Sequence, residues 1–323
     1  MSSTPLRILI PELFAADLAA ELTIPHEIHV LKTQSDGEVA ELLEHTDVLV
    51  SGAYQATWKP QETSTLRLVQ AVGAGIDGID TSALPPGCQV CNVYGHERGV
   101  AEQAFMLMLS LQKGLLSLDT ALRRGNWTPE RTYLSELRER NLLILGLGHI
   151  GKELVRWGRF LDMPTTVLTR RADPERVVGL DLEHFGDLSE LEDCLPQADF
   201  LVVAIPAGEG TVGLIGAKEL SLMKSSAFVV NVGRGPVLDE DALYQALQQR
   251  RIAGAGLDVW WQYPSAPGQE CQPSKYPFGE LDNVVMTPHK PTLETMAYRW
   301  REIAANLARF VADKPLVRVV HHG

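Results

Sequence analysis

The chain is short of cysteine, of basic charge and of uninterrupted apolar sequence, and each shortage excludes something. Only four cysteines occur among the 323 residues: Cys88, Cys91, Cys194 and Cys271. Cys88 and Cys91 form a C-x-x-C, but no second pair and no His pair stands at zinc spacing, so no metal site is expected. A thioredoxin-like motif opens a helix, whereas "CQVCNV" reads as a strand, and reduced thiols are the expectation. Acidic residues outnumber basic ones by 41 to 29, giving a net charge of −12. That balance argues against general affinity for nucleic acid or anionic membrane, though it leaves room for a local basic pocket. No apolar run reaches the length of a membrane span. The opening "MSSTPLRILI" has no apolar stretch of signal-peptide type, so a cytoplasmic protein is expected. Repeats and low-complexity tracts are missing too.

What is present is ordinary globular material. Hydrophobic residues make up 45% and charged residues 22%, enough for a sizeable core. The length exceeds one typical compact domain and suits two. Strand-like segments ("LRILI", "TDVLVSG", "LRLVQAVGAG", "QVCNV") alternate with helical ones such as "PELFAADLAAEL". This predicts an α/β fold with parallel sheet. Residues 99–125, "GVAEQAFMLMLSLQKGLLSLDTALRRG", read as one long helix with an apolar face left for a partner chain. The alternation restarts at "NLLILG" and runs to "NVVMTPH", and "ETMAYRWREIAANLARFVAD" is a final amphipathic helix. The Pro- and Gly-rich segment 261–280 reads as a surface loop.

In "NLLILGLGHIGKELVRWGRF", Gly146, Gly148 and Gly151 form G-x-G-x-x-G between a strand and a helix, the context a dinucleotide site needs. The first glycine permits a tight turn, the second lets backbone approach a pyrophosphate, and the third lets helix and strand pack closely. The helix start, where His149 and Ile150 stand, offers free N–H groups and the positive dipole end. A purely structural turn is the competing reading. The following strand, "TTVLTRRADPE", would end in an acidic residue for a free ribose 2′-hydroxyl. Instead it ends in Thr169, Arg170 and Arg171, a hydroxyl and two guanidinium groups suited to a 2′-phosphate. NADP is therefore the preferred cofactor and NAD the second choice, unless the arginines only form a solvated face.

The stretches "LGLGHIG", "VVNVGRGPVLDEDAL", "AGAGLDVW" and "NVVMTPH", in that order, resemble the D-isomer-specific 2-hydroxyacid dehydrogenase family. "AVGAGIDGID", "GVAEQ" and "ANLARFVADKPLVRVV" resemble it as well, so nearly the whole chain is covered. The resemblance implies two Rossmann-like domains with parallel sheets flanked by helices. The cofactor domain, 99–290, would be inserted into a substrate domain made of 1–98 and 291–323. It also implies a homodimer with the active site in a cleft.

By the same resemblance Arg234 is the catalytic arginine. Its position after an apolar strand suits a guanidinium that grips a carboxylate and polarises the adjacent keto oxygen. His289, after "VVMTP", matches the acid/base histidine, and its neutral-range pKa suits proton exchange. Ala74 and Gly75 resemble the turn whose N–H groups hold the substrate carboxylate. Asp258 resembles the residue at the nicotinamide end of the cofactor, and His96 sits where some relatives place a pocket Asn.

The sequence also departs from the family. Many members pair the histidine with a Glu, but the matching position here holds Tyr263, which offers a hydrogen bond and no charge. His289 should then be less basic, unless Glu270 or another acid reaches it. Lys290 and Pro291 after the histidine are atypical. Trp260, Trp261 and Tyr263 either line an apolar pocket or pack the loop onto the body. The sequence thus predicts an oxidoreductase moving hydride between NADP(H) or NAD(H) and a small 2-hydroxy or 2-keto acid. A formate- or phosphite-type dehydrogenase is the lesser enzymatic alternative, and a cofactor-sensing corepressor or scaffold the non-enzymatic one.

Overall fold

A computed structural model describes residues 4–32, 35–58, 64–127, 134–264, 269–290 and 292–322. Pro291 and residues 265–268 of the Pro-rich segment lie outside these. The chain divides into two compact units, Met1–Gly95 with Thr292–Gly323, and His96–Pro291. The expected boundaries stood at 98/99 and 290/291.

The first unit begins with β1 (Leu6–Pro11), α1 (Glu12–Glu21), β2 (His26–Leu31), α2 (Asp36–Glu44), β3 (Val48–Val50), β4 (Leu68–Gln70) and β5 (Gln89–Cys91). The second holds α3 (Glu97–Gln112), α4 (Leu115–Arg123), β6 (Leu142–Leu145), α5 (His149–Phe160), β7 (Thr165–Thr169), β8 (His184–Asp187) and the short α6 (Leu191–Cys194). It continues with β9 (Phe200–Val203), α7 (Ala217–Leu222), β10 (Phe228–Asn231), α8 (Glu240–Gln248), β11 (Gly254–Leu257) and β12 (Val284–Met286). The chain then returns to the first unit through α9 (Leu293–Val311) and β13 (Val319–His321).

In the first unit the strand order is β13-β5-β4-β3-β1-β2, parallel except for β13, which runs antiparallel to β5. The period-2 alternation of β1 serves two cores at once. Ile8 and Ile10 pack with Leu18 of α1 and Trp300, Ile303 and Leu307 of α9, while Leu9 packs with Val39 and Leu43 of α2.

The second unit is a seven-stranded, wholly parallel sheet in the order β12-β11-β10-β9-β6-β7-β8. Helices cover both faces, so its central strands are apolar throughout. Leu142, Ile144, Val202 and Val230 share a core with Phe105 and Met108 of α3 and Leu154 of α5. Leu143, Leu145, Leu201 and Val229 share another with Leu220 of α7 and Leu243 and Leu247 of α8. Small residues on β11 let α3 lie close: a Cβ on Gly256 would stand 2.8 Å from Leu107 Cβ.

One expectation is corrected. Residues 99–125 are not one helix, because Gly114 adopts φ +58°, ψ 34° and separates α3 from α4. Three strands, β2, β8 and β13, gave no sequence signal. All three are sheet edges. Being only half enclosed, β2 and β8 carry polar residues ("HEIHVL" and "HFGD"), so no apolar run marks them, and β13 is only three residues long. Cys88 and Cys91 are free and buried, and burial pushes the Cys88 thiol up to about 12. Among the described residues no helix is long and apolar enough to cross a membrane.

Candidate functional site

The second unit's sheet has its switch point between β6 and β9. The chain leaves β6 towards β7 and β8 on one side and resumes at β9 on the other. Open parallel sheets hold ligands beyond the carboxyl ends of strands at such a point. The three glycines stand there, each for a different steric reason. Gly146 ends β6 at φ +106°, and a Cβ on it would stand 2.8 Å from the Ala204 carbonyl oxygen. A Cβ on Gly151 would stand 2.0 Å from the Gly146 carbonyl oxygen, so the first turn of α5 rests directly on the glycine turn. Around a Cβ on Gly148 nothing lies within 4 Å. Gly148 therefore opens space in front of the N-terminus of α5 without relieving any internal clash. Free N–H groups and the helix dipole at such a terminus favour an anion. His149 is exposed, with Nδ1 3.9 Å from Glu97, and Ile150 packs at the edge of the core below.

At the end of β7, Thr169 is buried and its hydroxyl donates to the Arg171 carbonyl at 2.8 Å. Its proton is thus committed to holding the turn. The exposed Arg170 and Arg171 make no side-chain hydrogen bond or ion pair among the described residues. A third arginine braces the glycine turn. Arg176 Nη2 donates at 2.6 Å to the carbonyl of Leu147, between the first two glycines. Its only sequence signal is a third basic residue just beyond the strand end.

A second cluster forms where β10, β11 and β12 end. Asn231, fully buried, braces the turn after β10: its Oδ1 accepts the Gly233 N–H at 3.1 Å and its Nδ2 donates to the Arg234 carbonyl at 2.9 Å. The next residue needs to be small, because a Cβ on Gly235 would lie 2.3 Å from the Trp260 carbonyl. The Arg234 turn is thereby seated on the segment after β11. Asp258, 6% exposed, accepts at Oδ1 from Thr287 Oγ1 at 2.6 Å and from Gln103 Nε2 at 3.3 Å. Gln103 also donates to Thr287 Oγ1 at 2.8 Å, so α3 and the residues that follow β11 and β12 lock one another. Neither Gln103 nor Thr287 was singled out in the sequence. Only the pairing of their elements gives them a purpose.

His289 follows β12 in the left-handed region at φ +52°, rare for a residue with a Cβ and a recurrent feature of functional sites. Tyr263 Oη lies 3.2 Å from His289 Nδ1 and accepts the Trp260 N–H at 3.1 Å. Although His289 is exposed as a whole residue, burial of its ring lowers its pKa; Asp258 opposes that shift and Arg234 adds to it. Arg234, Asp258, Tyr263 and His289 are therefore electrostatic neighbours. Burial raises the Tyr263 phenol, which stays protonated. Glu270 is exposed and is not among the charges acting on the ring, and Lys290 is exposed as well. Trp260 donates to the Thr287 carbonyl at 2.9 Å, while Trp261 donates to the Leu238 carbonyl at 3.0 Å and stacks on Phe278. Both indoles pack the segment onto the body.

Three further substrate candidates are Ala74, Gly75 and His96. Ala74 and Gly75 follow β4 in the first unit, where the Ala74 carbonyl accepts from Asn92 Nδ2 at 2.9 Å. His96, half-buried, borders the start of α3. Among the described residues no group of His, Cys, Asp or Glu could hold a metal ion.

Comparison with known proteins bears on these features. Residues 105–290, within the second unit, match the family model of the D-isomer specific 2-hydroxyacid dehydrogenase NAD-binding domain. A glyoxylate reductase of Korarchaeum cryptofilum is 31% identical over 312 residues, 93% of this chain and 88% of that protein. A D-3-phosphoglycerate dehydrogenase of Archaeoglobus fulgidus is 31% identical over 78% of this chain, which spans only 45% of that longer protein. Among solved structures, an NADPH-dependent glyoxylate/hydroxypyruvate reductase from Sinorhizobium meliloti, in complex with NADP and malonate, aligns with a TM-score of 0.82 at 26% identity. It covers 98% of this chain and 97% of its own. The glycine turn at the switch point, the order of the strands and these matches agree, and the chain belongs to the D-isomer specific 2-hydroxyacid dehydrogenases.

Proposed function

We propose that the protein is an NADP(H)-preferring oxidoreductase that interconverts small 2-keto and 2-hydroxy acids of the glyoxylate or hydroxypyruvate kind. The observation that carries the reading is the neighbourhood of Arg234, Asp258 and His289 at three adjacent strand ends, in the unit that carries the glycine turn.

The residues present fit a dinucleotide. Gly148 leaves the room a phosphate needs, and α5 supplies N–H groups. Arg170 and Arg171 supply positive charge at the ribose end, with Arg176 steadying the turn. The bound nicotinamide supplies or takes the hydride. Arg234 pairs with the substrate carboxylate and polarises the adjacent carbonyl oxygen. His289 gives a proton to that oxygen in reduction and takes one from the hydroxyl in oxidation. Asp258, held by Thr287 and Gln103, fixes the nicotinamide end and tempers the positive charge of Arg234 at the ring of His289. The exposed apolar residues Met106, Leu109, Leu115 and Leu116 on α3 and α4 support a homodimer.

The test is a titration of purified protein with NADPH and NADH, followed by nicotinamide absorbance with a panel of 2-keto acids. Turnover of at least one acid is expected, with Arg234→Ala abolishing turnover and leaving cofactor affinity largely intact. Cofactor binding without turnover of any acid would favour a sensing scaffold instead.

A further inference from the structure

We infer that Tyr263 is the positioning residue for His289: its hydroxyl bridges the Trp260 N–H and the imidazole Nδ1, and leaves Nε2 to carry the exchangeable proton. The inference rests on the proposed reading in which His289 is the proton donor.

The bridge follows from donor and acceptor arithmetic. A phenol has one proton and two lone pairs. The Trp260 N–H, 3.1 Å away, can only donate, so it occupies one lone pair. Trp260 is itself fixed, because its indole N–H is bonded to Thr287 and its carbonyl abuts Gly235. The phenolic oxygen is thus held at a set point, 3.2 Å from Nδ1. Against a neutral imidazole the phenol proton turns to Nδ1, and the ring proton sits on Nε2. Against an imidazolium the phenol swings its proton away, and its second lone pair accepts Nδ1–H. A hydroxyl thus serves both ring states, whereas a carboxylate in its place would only accept and would favour the charged ring.

The surrounding charges agree. Among the described residues, the charged groups acting on His289 are Asp258, beyond β11, and Arg234, beyond β10, and they oppose each other. Burial then decides, and it favours the neutral ring. Because reduction needs the imidazolium as acid, kcat/KM for keto-acid reduction should fall as pH rises, with its inflection below the ordinary histidine value of about 6.5.

The test is long-range proton–nitrogen NMR of histidine-labelled full-length protein, with the His289 signal assigned by its loss in His289→Gln. The expected neutral form is protonated at Nε2, with a midpoint below that of free histidine. Tyr263→Phe should give a mixture of tautomers and at least a tenfold lower kcat with little change in KM. Tyr263→Gln, whose amide can accept from Trp260 and donate to Nδ1, should restore the Nε2–H form. Tyr263→Glu should raise both the midpoint and the inflection of the pH profile by about one unit or more. A wild-type ring protonated at Nδ1, or a Tyr263→Phe protein with unchanged tautomer and pH profile, would overturn the inference. The NMR readout needs no turnover. Loss of all activity in the panel would sink the enzymatic reading and leave the tautomer question answered separately.

Discussion

Two single-methyl substitutions in the glycine turn separate folding from cofactor binding. In Gly151→Ala the new Cβ would stand 2.0 Å from the Gly146 carbonyl oxygen. Ordinary carbon–oxygen contact begins at about 3.3 Å, so α5 must retreat from the turn by roughly 1.3 Å. Both partners are backbone, so no rotamer change relieves the clash. Overpacking of this kind costs about 1–3 kcal/mol, which lowers Tm by roughly 2–4 °C per kcal/mol in a domain of this size. In Gly148→Ala the Cβ meets nothing within 4 Å, and the backbone is already extended at φ −79°, ψ −161°. The folded state accepts the methyl, and the stiffer unfolded chain adds about 0.4–1 kcal/mol of stability. That same methyl fills the space assigned to a phosphate. Calorimetric melts and fluorescence titration with NADPH read the two effects. Gly148→Ala should melt at or above wild type and bind NADPH at least tenfold more weakly, a loss of about 1.4 kcal/mol. A Gly148→Ala protein that binds NADPH as wild type does would refute the assignment of the open space.

Further expectations concern the rest of the chain. Replacing Arg170 and Arg171 with Ala should weaken NADPH more than NADH in parallel titrations, and equal losses would defeat the 2′-phosphate assignment. Asn231→Ala leaves the Gly233 N–H and the Arg234 carbonyl without their partner, at about 1–3 kcal/mol each. Urea unfolding should show that loss, together with lower turnover as Arg234 is released. In the first unit, burial works to raise the pKa of Asp47, but its paired hydrogen bonds from Arg7, at 2.8 and 3.1 Å, outweigh it and hold the carboxyl below its ordinary value. With the folded pKa depressed, that stabilisation is complete above the unfolded value of about 3.9 and is lost as pH falls through the folded value. Asp47→Asn should therefore be less stable at pH 7 and converge on wild type in strong acid, as measured by denaturant melts across pH. Charged substitutions at Met106 and Leu109 should yield a monomer by light scattering if those residues form the dimer face.

The legible part of the molecule was the part written in apolar runs and glycine spacing. Central strands such as "LLIL" and "FLVV" are enclosed on both faces, so burial alone dictates their residues. Edge strands such as β2 and β8 stayed hidden because solvent on one side permits polar residues, and the break at Gly114 stayed hidden because apolar periodicity continues across it. At the candidate site the sequence marked Arg234, Asp258 and His289. It could not show that Gln103 and Thr287 clamp Asp258, nor that Arg176 reaches back to Leu147.

From local pattern alone come two alternating α/β units, a glycine turn of defined spacing between a strand and a helix, and the chemical types at the strand ends. These are properties of local sterics and of burial period, which neighbours along the chain express. The partner of each polar group was decided only by the tertiary structure. A hydrogen bond such as Tyr263 to His289 joins residues 26 positions apart and depends on where two strands end in space, and no local pattern encodes that distance.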